Sequence, residues 1–184
     1  IGLLIICTLA SPFFLTVSNI LNVARQISII GILSVGMTFV ILTGGIDLSI
    51  GPTMALTTVL IALLSGCSGI VAILAALAVG FLVGIANGSI IAYLNVQAFI
   101  VTLGMMSVLK GIGLTIAKGS PITGVPQSIL FLGRGKLFGT IPGQVIIFIC
   151  VAIVATVILK YTSLGRYTYA IGGNPEYLTN VQEL

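Results

Sequence analysis

Long uninterrupted runs of apolar residues alternate along the chain with short polar or glycine-rich breaks. Most runs approach the ~20 residues that an α-helix needs to cross a bilayer, and none shows the strict alternation of a membrane β-strand. The pattern predicts an all-α polytopic membrane protein with about six transmembrane segments. The predicted segments are Ile1–Val17, Ile27–Thr43, Ser49–Leu64, Ile70–Leu94, Phe99–Ala117 and Gln144–Leu159.

The composition requires a lipid environment and excludes several functions. Of the 184 residues, 58% are hydrophobic and 5% are charged, whereas about 25% of a soluble domain is charged. The net charge of +4 is dispersed, so no basic nucleic-acid patch forms. The chain has no histidine and three widely spaced cysteines, which excludes nucleophile–histidine sites and gives no metal-ligand spacing. We therefore expect no catalytic residue and no metal.

Asp47 is the only acidic residue in the first 175 positions, and it lies between two apolar segments. A charged side chain at the centre of a membrane helix costs about 2.5–3.5 kcal/mol on insertion scales. Its neighbours Gly44, Gly45 and Ser49 predict a broken helix near Gly44–Ser49 or a polar translocation path. The glycines would end one helix, and Asp47 or Ser49 would cap the next by accepting backbone N–H groups. Direct contact with the translocated solute is the alternative role for Asp47.

The fourth predicted segment carries three glycines spaced four residues apart, Gly80, Gly84 and Gly88, with Asn87 beside them. Such spacing gives a smooth helix face on which a neighbouring helix can approach closely. We predict that this face packs against a neighbouring helix rather than lipid. Lining of a pore is the alternative interpretation.

Two stretches are more polar than the rest of the chain. Residues Lys118–Gly143 form the longest non-apolar stretch, which is either a surface connection or a docking site for a soluble partner. The tail, Lys160–Leu184, belongs in water. Its Gly172-Gly173-Asn174-Pro175 sequence predicts a turn. Gly173→Val should severely impair the coupling of ATP hydrolysis to transport if φ of Gly173 is positive. Pro175 and Glu176 favour the start of a short helix.

Three stretches in this order resemble one family: VGMTFVILTGGIDLSIG, then VQAFIVTLGMMSVLKGI with GSPITG, then TSLGRYTYAIGGNPE. They are similar to the permease subunit of bacterial ATP-binding-cassette (ABC) importers for monosaccharides, within the branched-chain amino acid/sugar permease superfamily. The VQAFIVTL and GSPI sequences resemble the ribose branch. The resemblance covers nearly the whole chain, and only the last eight residues depart from the family pattern.

The resemblance implies a single transmembrane permease domain over residues 1–184, truncated at both ends. It implies a permease homodimer in the bacterial inner membrane, a separate cytoplasmic ATPase that binds the ATP, and a periplasmic sugar-binding protein; the permease itself would hold no cofactor. Residues 118–143 would face the periplasm, and 160–184 would be a cytoplasmic coupling segment. The residues implied for ATPase coupling are Gly165, Arg166, Gly172, Gly173, Asn174, Pro175 and Glu176.

Two other functions and one charge argument stand beside this interpretation. An ion- or proton-coupled carrier or channel could use Asp47, but such carriers usually show several ionisable membrane positions, and only Lys110 would join it. A membrane scaffold would not need the GGIDLSIG break. The positive-inside rule, applied to Lys118, Arg134 and Lys136 against Lys160 and Arg166, favours the inverted orientation. We follow the resemblance for the expected orientation.

Overall fold

A computed structural model describes residues 2–120, 122, 125, 129–130, 133, 135–137 and 141–173. The all-α class is confirmed. The main helices are α1 (Gly2–Ala10), α2 (Val17–Leu42), α3 (Ile50–Leu63), α4 (Gly69–Leu94), α5 (Ala98–Ile116), α6 (Gly143–Tyr161) and α7 (Ser163–Gly173). A 3₁₀ turn, Leu64–Gly66, extends α3. Two short antiparallel strands, β1 (Lys136–Leu137) and β2 (Ile141–Pro142), precede α6, with Lys136 opposite Pro142.

Four of the described helices, α2, α4, α5 and α6, are long and apolar enough to cross a membrane. The prediction of about six was therefore too high, for two physical reasons. The first predicted segment is divided at Ser11 and Pro12, where Pro12 lacks the N–H that would continue α1. The third segment forms an α-helix of only 14 residues, because Ser49 belongs to the break and Leu64 already begins the 3₁₀ turn.

Polar side chains set the ends of the long helices. Thr16 begins α2 by accepting a hydrogen bond from the Asn19 N–H at 3.4 Å, and Ser68 begins α4 in the same way. Asn95 ends α4 in the left-handed conformation, with φ of 50°. The first turns of α2 and α4 and the end of α4 are therefore set by polar side chains, whereas α5 and α6 begin without a side-chain cap.

The helices pack as two groups that meet at the break between α2 and α3. Helix α3 lies against α4 and α5, while α2 lies against α6, and α7 folds back onto α6 and α2. The buried apolar residues are few: Leu56, Ala62, Ala72, Val101, Leu109 and Ala155. Large hydrophobic side chains instead cover the outside, as expected where lipid solvates the helices.

One tight contact between α2 and α6 lies at a glycine that no sequence pattern singled out. A Cβ atom added to Gly31 would lie 2.5 Å from Cε2 of Phe148. The missing side chain therefore allows the Phe148 ring on α6 to reach the backbone of α2. Gly36, one and a half turns later on α2, has no atom within 4 Å of the same position and makes no such contact.

We expect Gly31→Ala to destabilise the purified protein by about 1–3 kcal/mol, the usual cost of inserting a methyl group into a close contact. Gly36→Ala is the matched control, and helix propensity alone would make it stabilising by up to about 1 kcal/mol. Thermal unfolding in detergent measures both. Replacing the ring with the smaller side chain of Phe148→Leu should raise the melting temperature of the Gly31→Ala variant again. If Gly31→Ala alone melts at as high a temperature as Gly36→Ala, the contact is contradicted.

Candidate functional site at the helix break

The helical path is interrupted between Leu42 and Ile50, which confirms the predicted break. The N–H of Thr43 tightens the end of α2 by donating to the carbonyls of Phe39 and Val40, at 3.3 and 3.2 Å. Gly44 then turns the chain with φ of +78°, a conformation that strongly favours glycine. Residues 43–49 form no helix. The N–H groups of Gly44 and Gly45 still donate to the carbonyls of Ile41 and Val40 in α2, so only the residues after Gly45 need partners from elsewhere.

Asp47 organises the start of α3. One carboxylate oxygen, Oδ1, accepts hydrogen bonds from the N–H of Ser49 at 2.7 Å and from the Ser49 hydroxyl at 2.6 Å. Ser49 is the N-cap residue of α3, but its side chain makes no capping bond. Of the two predicted acceptors, Asp47 or Ser49, it is Asp47 that accepts a backbone N–H at this helix start. The Ser49 hydroxyl instead points its proton at Asp47. Asp47 thus holds Ser49, the residue just before α3, and makes no hydrogen bond to the N–H groups of the first turn of α3.

Two residues from distant parts of the chain anchor the break. The Asn87 side-chain amide on α4 donates to the Ser49 Oγ at 2.9 Å. The Thr102 hydroxyl on α5 lies 3.1 Å from the carbonyl of Ile46 and 2.9 Å from that of Ala98. Ser49, Asn87 and Thr102 are 1%, 5% and 2% exposed, so these contacts are shielded from lipid and water. Sequence reasoning placed Asn87 only beside the glycine face and missed Thr102.

The direction of the hydrogen bonds leaves one buried atom unpaired. Ser49 has a single hydroxyl proton, which goes to the Asp47 carboxylate, so its oxygen must accept from the Asn87 NH₂ group. The Asn87 carbonyl oxygen, Oδ1, is then free, and it has no partner among the described residues. A buried acceptor without a donor is costly, so this oxygen indicates a group that the described chain does not supply.

An open cavity of about 820 Å³ lies beside the break. It is lined by Asp47 and the preceding glycines, by Gly84, Asn87 and Gly88 of α4, by the α4–α5 connection and by Ile171 of α7. The break, the last turns of α4, the first turn of α5 and α7 therefore lie at one end of the molecule. This volume is in the range of small-molecule sites, about 300–1,000 Å³.

The three glycines of α4 contact no other helix in the described part of the chain. A Cβ atom added to Gly80, Gly84 or Gly88 would meet nothing within 4 Å. Gly84 and Gly88 instead line the cavity, the alternative considered from the sequence. Packing of this face against a neighbouring helix stays a prediction, and the helix would come from outside the described residues.

Helix α7 contains the described part of the predicted coupling segment. Gly165 is buried where α7 turns away from α6, and a Cβ there would overlap the carbonyl of Leu159. Arg166 donates from Nη2 to the Ser163 hydroxyl at 2.9 Å. Asn174, Pro175 and Glu176 lie outside the described residues.

The predicted turn is wrong for its first two residues, because Gly172 and Gly173 are helical and complete α7. A Cβ on Gly172 would overlap the Leu42 carbonyl at the end of α2, whereas one on Gly173 would meet nothing within 4 Å. Gly173 also lacks a positive φ. The condition under which valine at position 173 would be severe is therefore not met, and the close contact belongs to Gly172.

The described residues include no group of three or more His, Cys, Asp or Glu side chains placed to hold a metal ion. Asp47 is their only carboxylate. The chemistry available at the break is therefore hydrogen bonding to a neutral or positively charged solute, by one carboxylate and several amides, beside apolar walls.

Comparison with known proteins agrees with this membrane architecture. Residues 19–181 match the family described as the permease component of branched-chain amino acid transport systems. The chain belongs to this permease family. With four described helices that are long and apolar enough to cross a membrane, it has the architecture of a multi-pass membrane protein.

The curated relatives of this permease include several for sugars. It is 44% identical over 178 residues to the ribose import permease of Escherichia coli, covering 94% of this chain and 55% of the relative. The ribose import permease of Bacillus subtilis is 43% identical over 94% of this chain and 54% of the relative. The D-allose transport system permease of Escherichia coli is 34% identical, over 91% of this chain and 52% of the relative. The permease chain thus spans about half the length of these relatives. No solved structure matches it.

Proposed function

We propose that this chain is part of the membrane-spanning permease of an ABC importer that carries a monosaccharide of the ribose type. The observation that supports this most strongly is its similarity to the ribose import permeases over 94% of its length. Relatives named for galactofuranose and D-allose are also similar, so a sugar is the common solute of these names. The cavity beside the break, with polar groups on apolar walls, suits such a solute.

A cytoplasmic ATPase is the proposed source of energy, and α7 is the proposed point of contact. Helix α7 packs on α6 and α2, and its Gly172 touches the end of α2 just before the break. A push on α7 would therefore reach the residues that hold Asp47 through one backbone contact. A periplasmic sugar-binding protein would dock at the opposite end, where the stretch after Lys118 begins. A second copy of the permease would complete the pore.

The hydrogen bonds at Asp47 favour an ATP-driven importer over a carrier that binds ions at this residue. Asp47 is the only acidic residue in the described spans, and one of its oxygens already holds Ser49 in place. A carrier that protonates this same oxygen, Oδ1, would have to weaken its bonds to Ser49 in every cycle. A positional role requires no such change.

Uptake of radiolabelled D-ribose tests the proposed function. The complete permease is expressed with its ATPase and sugar-binding protein in cells that lack their own ribose permease. We expect uptake that needs all three proteins and stops when the nucleotide-binding site of the ATPase is inactivated. Uptake by the permease alone that follows a proton or sodium gradient would instead establish an ion-coupled carrier.

The proposed orientation gives a direct labelling prediction. Cys67, in the exposed turn before α4, lies at the end opposite α7 and should react with an impermeant maleimide in intact spheroplasts once Cys7 and Cys150 are replaced. Asn95→Cys, placed in a cysteine-free protein, marks the α7 end and should react only after lysis. The reverse pattern would show that the orientation favoured by the positive-inside rule is correct and that the proposed sides are inverted.

A further inference from the structure

The cavity beside the break contains two hydrogen-bond acceptors that nothing in the described chain uses. Asp47 engages Ser49 through Oδ1 only, which leaves its second carboxylate oxygen, Oδ2, without a hydrogen bond among the described residues. Asn87 Oδ1 is also unpaired, in a residue that is only 5% exposed. Both residues line the same cavity, and the Ser49 hydroxyl joins them. Two free acceptors on residues that line one cavity indicate a ligand that donates more than one hydrogen bond.

The rest of the cavity narrows the chemistry of that ligand. Ile46 and Ile91 provide apolar walls, and Asn95 and Gln97 bring side-chain amides that can donate as well as accept. A bare cation would need a shell of oxygens only and would leave most of 820 Å³ unused. A neutral solute with several hydroxyl groups on a carbon frame matches both the apolar and the polar parts of the lining.

We propose that the cavity is a subsite for a polyhydroxylated, uncharged solute, whose hydroxyl groups donate to the free oxygen of Asp47 and to Asn87 Oδ1. Gly84 and Gly88 leave open space beside Asn87. The Asn87 carbonyl oxygen is shielded in this structure, so the proposed contact requires the side chain to turn toward that space. Asn87 and Asp47 would thereby distinguish hydroxyl positions during passage. The inference rests on the proposed function and adds to it a selectivity-determining pair inside the permease.

Hydroxyl-deleted analogues of D-ribose test this pair in the complete importer. The kcat/KM for uptake of D-ribose is compared with those of its 2-, 3- and 5-deoxy derivatives, in the unaltered protein and in Asn87→Leu. The same sugar-binding protein is used throughout, so a change in the ratio between variants comes from the permease. The ratio of kcat/KM for D-ribose to kcat/KM for a deoxy derivative measures how strongly that hydroxyl is recognised. We expect this ratio to fall by about 2- to 10-fold for at least one hydroxyl in Asn87→Leu, the range of one neutral hydrogen bond.

Asp47→Asn provides an independent variant in case Asn87→Leu fails to accumulate in the membrane. The asparagine keeps an oxygen for Ser49 but replaces the free carboxylate oxygen with an amide NH₂. Discrimination by one hydroxyl should then fall by about 10- to 100-fold, since that hydrogen bond loses a charged acceptor. Ser107→Ala is the matched control, because Ser107 is exposed on α5 and bonds only to Leu103 of its own helix. It should leave every ratio unchanged.

The results separate this inference from the proposed function. Unchanged ratios in both Asn87→Leu and Asp47→Asn, with active uptake, would overturn the subsite and leave the importer assignment intact. Ribose uptake that requires sodium, and loses that requirement in Asp47→Asn, would overturn it in favour of a cation site. Absence of ribose uptake by the unaltered, assembled complex would refute the proposed function itself.

Discussion

Replacing Gly172 with valine is expected to lower ATP-driven uptake by about tenfold or more, while the same change at Gly173 leaves most of it. The two glycines are neighbours at the end of α7, but only Gly172 lies against the Leu42 carbonyl. A side chain there must displace the backbone at the end of α2, which is far costlier than moving a flexible side chain. Helix propensity favours valine over glycine at both positions, so it cannot explain a loss at one of them.

The measurement compares sugar uptake with ATP hydrolysis in the reconstituted importer, for both glycine variants at equal membrane level. If α7 transmits the action of the ATPase to the break, Gly172→Val should hydrolyse ATP with little transport, whereas Gly173→Val should keep the two coupled. Equal coupling in the two variants would remove Gly172 from the transmission route. Failure of Gly172→Val to assemble would be addressed with Gly172→Ala, which introduces one methyl group at the same contact.

Such a result would connect two features that are far apart in the sequence. Gly172 lies against Leu42, the last residue of α2. The break begins at Thr43, directly after Leu42, and it contains Asp47. Ile171 also reaches the cavity beside the break. The proposed ATPase contact and the proposed solute subsite would then be joined by one short piece of backbone, without a relay through the helix bundle.

The helices were predictable from the sequence wherever one apolar run coincides with one helix. The predicted Ile70–Leu94, Phe99–Ala117 and Gln144–Leu159 match α4, α5 and α6 within two residues at each end. The pattern failed near Pro12, where a single apolar run contains a helix end. Hydrophobicity shows whether a segment is surrounded by lipid or by water. The residues before and after such a helix end are both surrounded by lipid, so hydrophobicity does not reveal where the helix ends.

The candidate site was predictable only in its local part. Glycine has a low helix propensity and a carboxylate is costly inside a membrane helix, so the glycines and Asp47 together predict a break. The partners of Ser49 and Ile46 are Asn87 and Thr102, which are 38 and 56 residues away along the chain, so only the tertiary fold brings them together. Each is one polar residue in an apolar helix, which carries no information about its partner.

The glycines show the same limit from the opposite side. The regular spacing of Gly80, Gly84 and Gly88 predicts that a close approach is possible but does not say which element approaches. The close contacts found among the described helices belong to Gly31, Gly165 and Gly172, which stand in no such repeat. A glycine is needed wherever another atom occupies the place of its side chain, and that atom is set by the packing of distant segments.

Asp47→Leu is expected to have the second large effect, and its direction opposes simple hydrophobicity. On membrane-insertion scales, leucine is favoured over aspartate by about 3 kcal/mol or more at the centre of a helix. The hydrogen bonds argue the other way. Leucine leaves the Ser49 N–H and hydroxyl proton without their acceptor, in a residue that is 1% exposed. Each unpaired buried donor costs about 1–3 kcal/mol, so for the two donors together we expect a loss of about 2–6 kcal/mol of stability.

Asp47→Asn separates the loss of the charge from the loss of the acceptor. Asparagine keeps an oxygen in reach of the Ser49 N–H and hydroxyl, so its cost should be about 1–2 kcal/mol, the difference between a charged and a neutral acceptor. Denaturant or thermal unfolding in detergent should therefore rank the unaltered protein first, Asp47→Asn second and Asp47→Leu last. A leucine variant as stable as the unaltered protein would show that insertion energy outweighs the network.

A double-mutant cycle with Asn87 shows whether the network acts as a unit. Asn87→Leu alone removes the donor to Ser49 Oγ, and Asp47→Leu alone removes the acceptor of its proton. With both replaced, the Ser49 hydroxyl is free to rotate to a backbone carbonyl one turn away, as many serine and threonine side chains here do. The combined loss of stability should therefore fall short of the sum by about 0.5–3 kcal/mol, as expected for residues in one network. Additive losses would show that Asp47 and Asn87 hold the break independently, with Ser49 serving as a neighbour rather than a link.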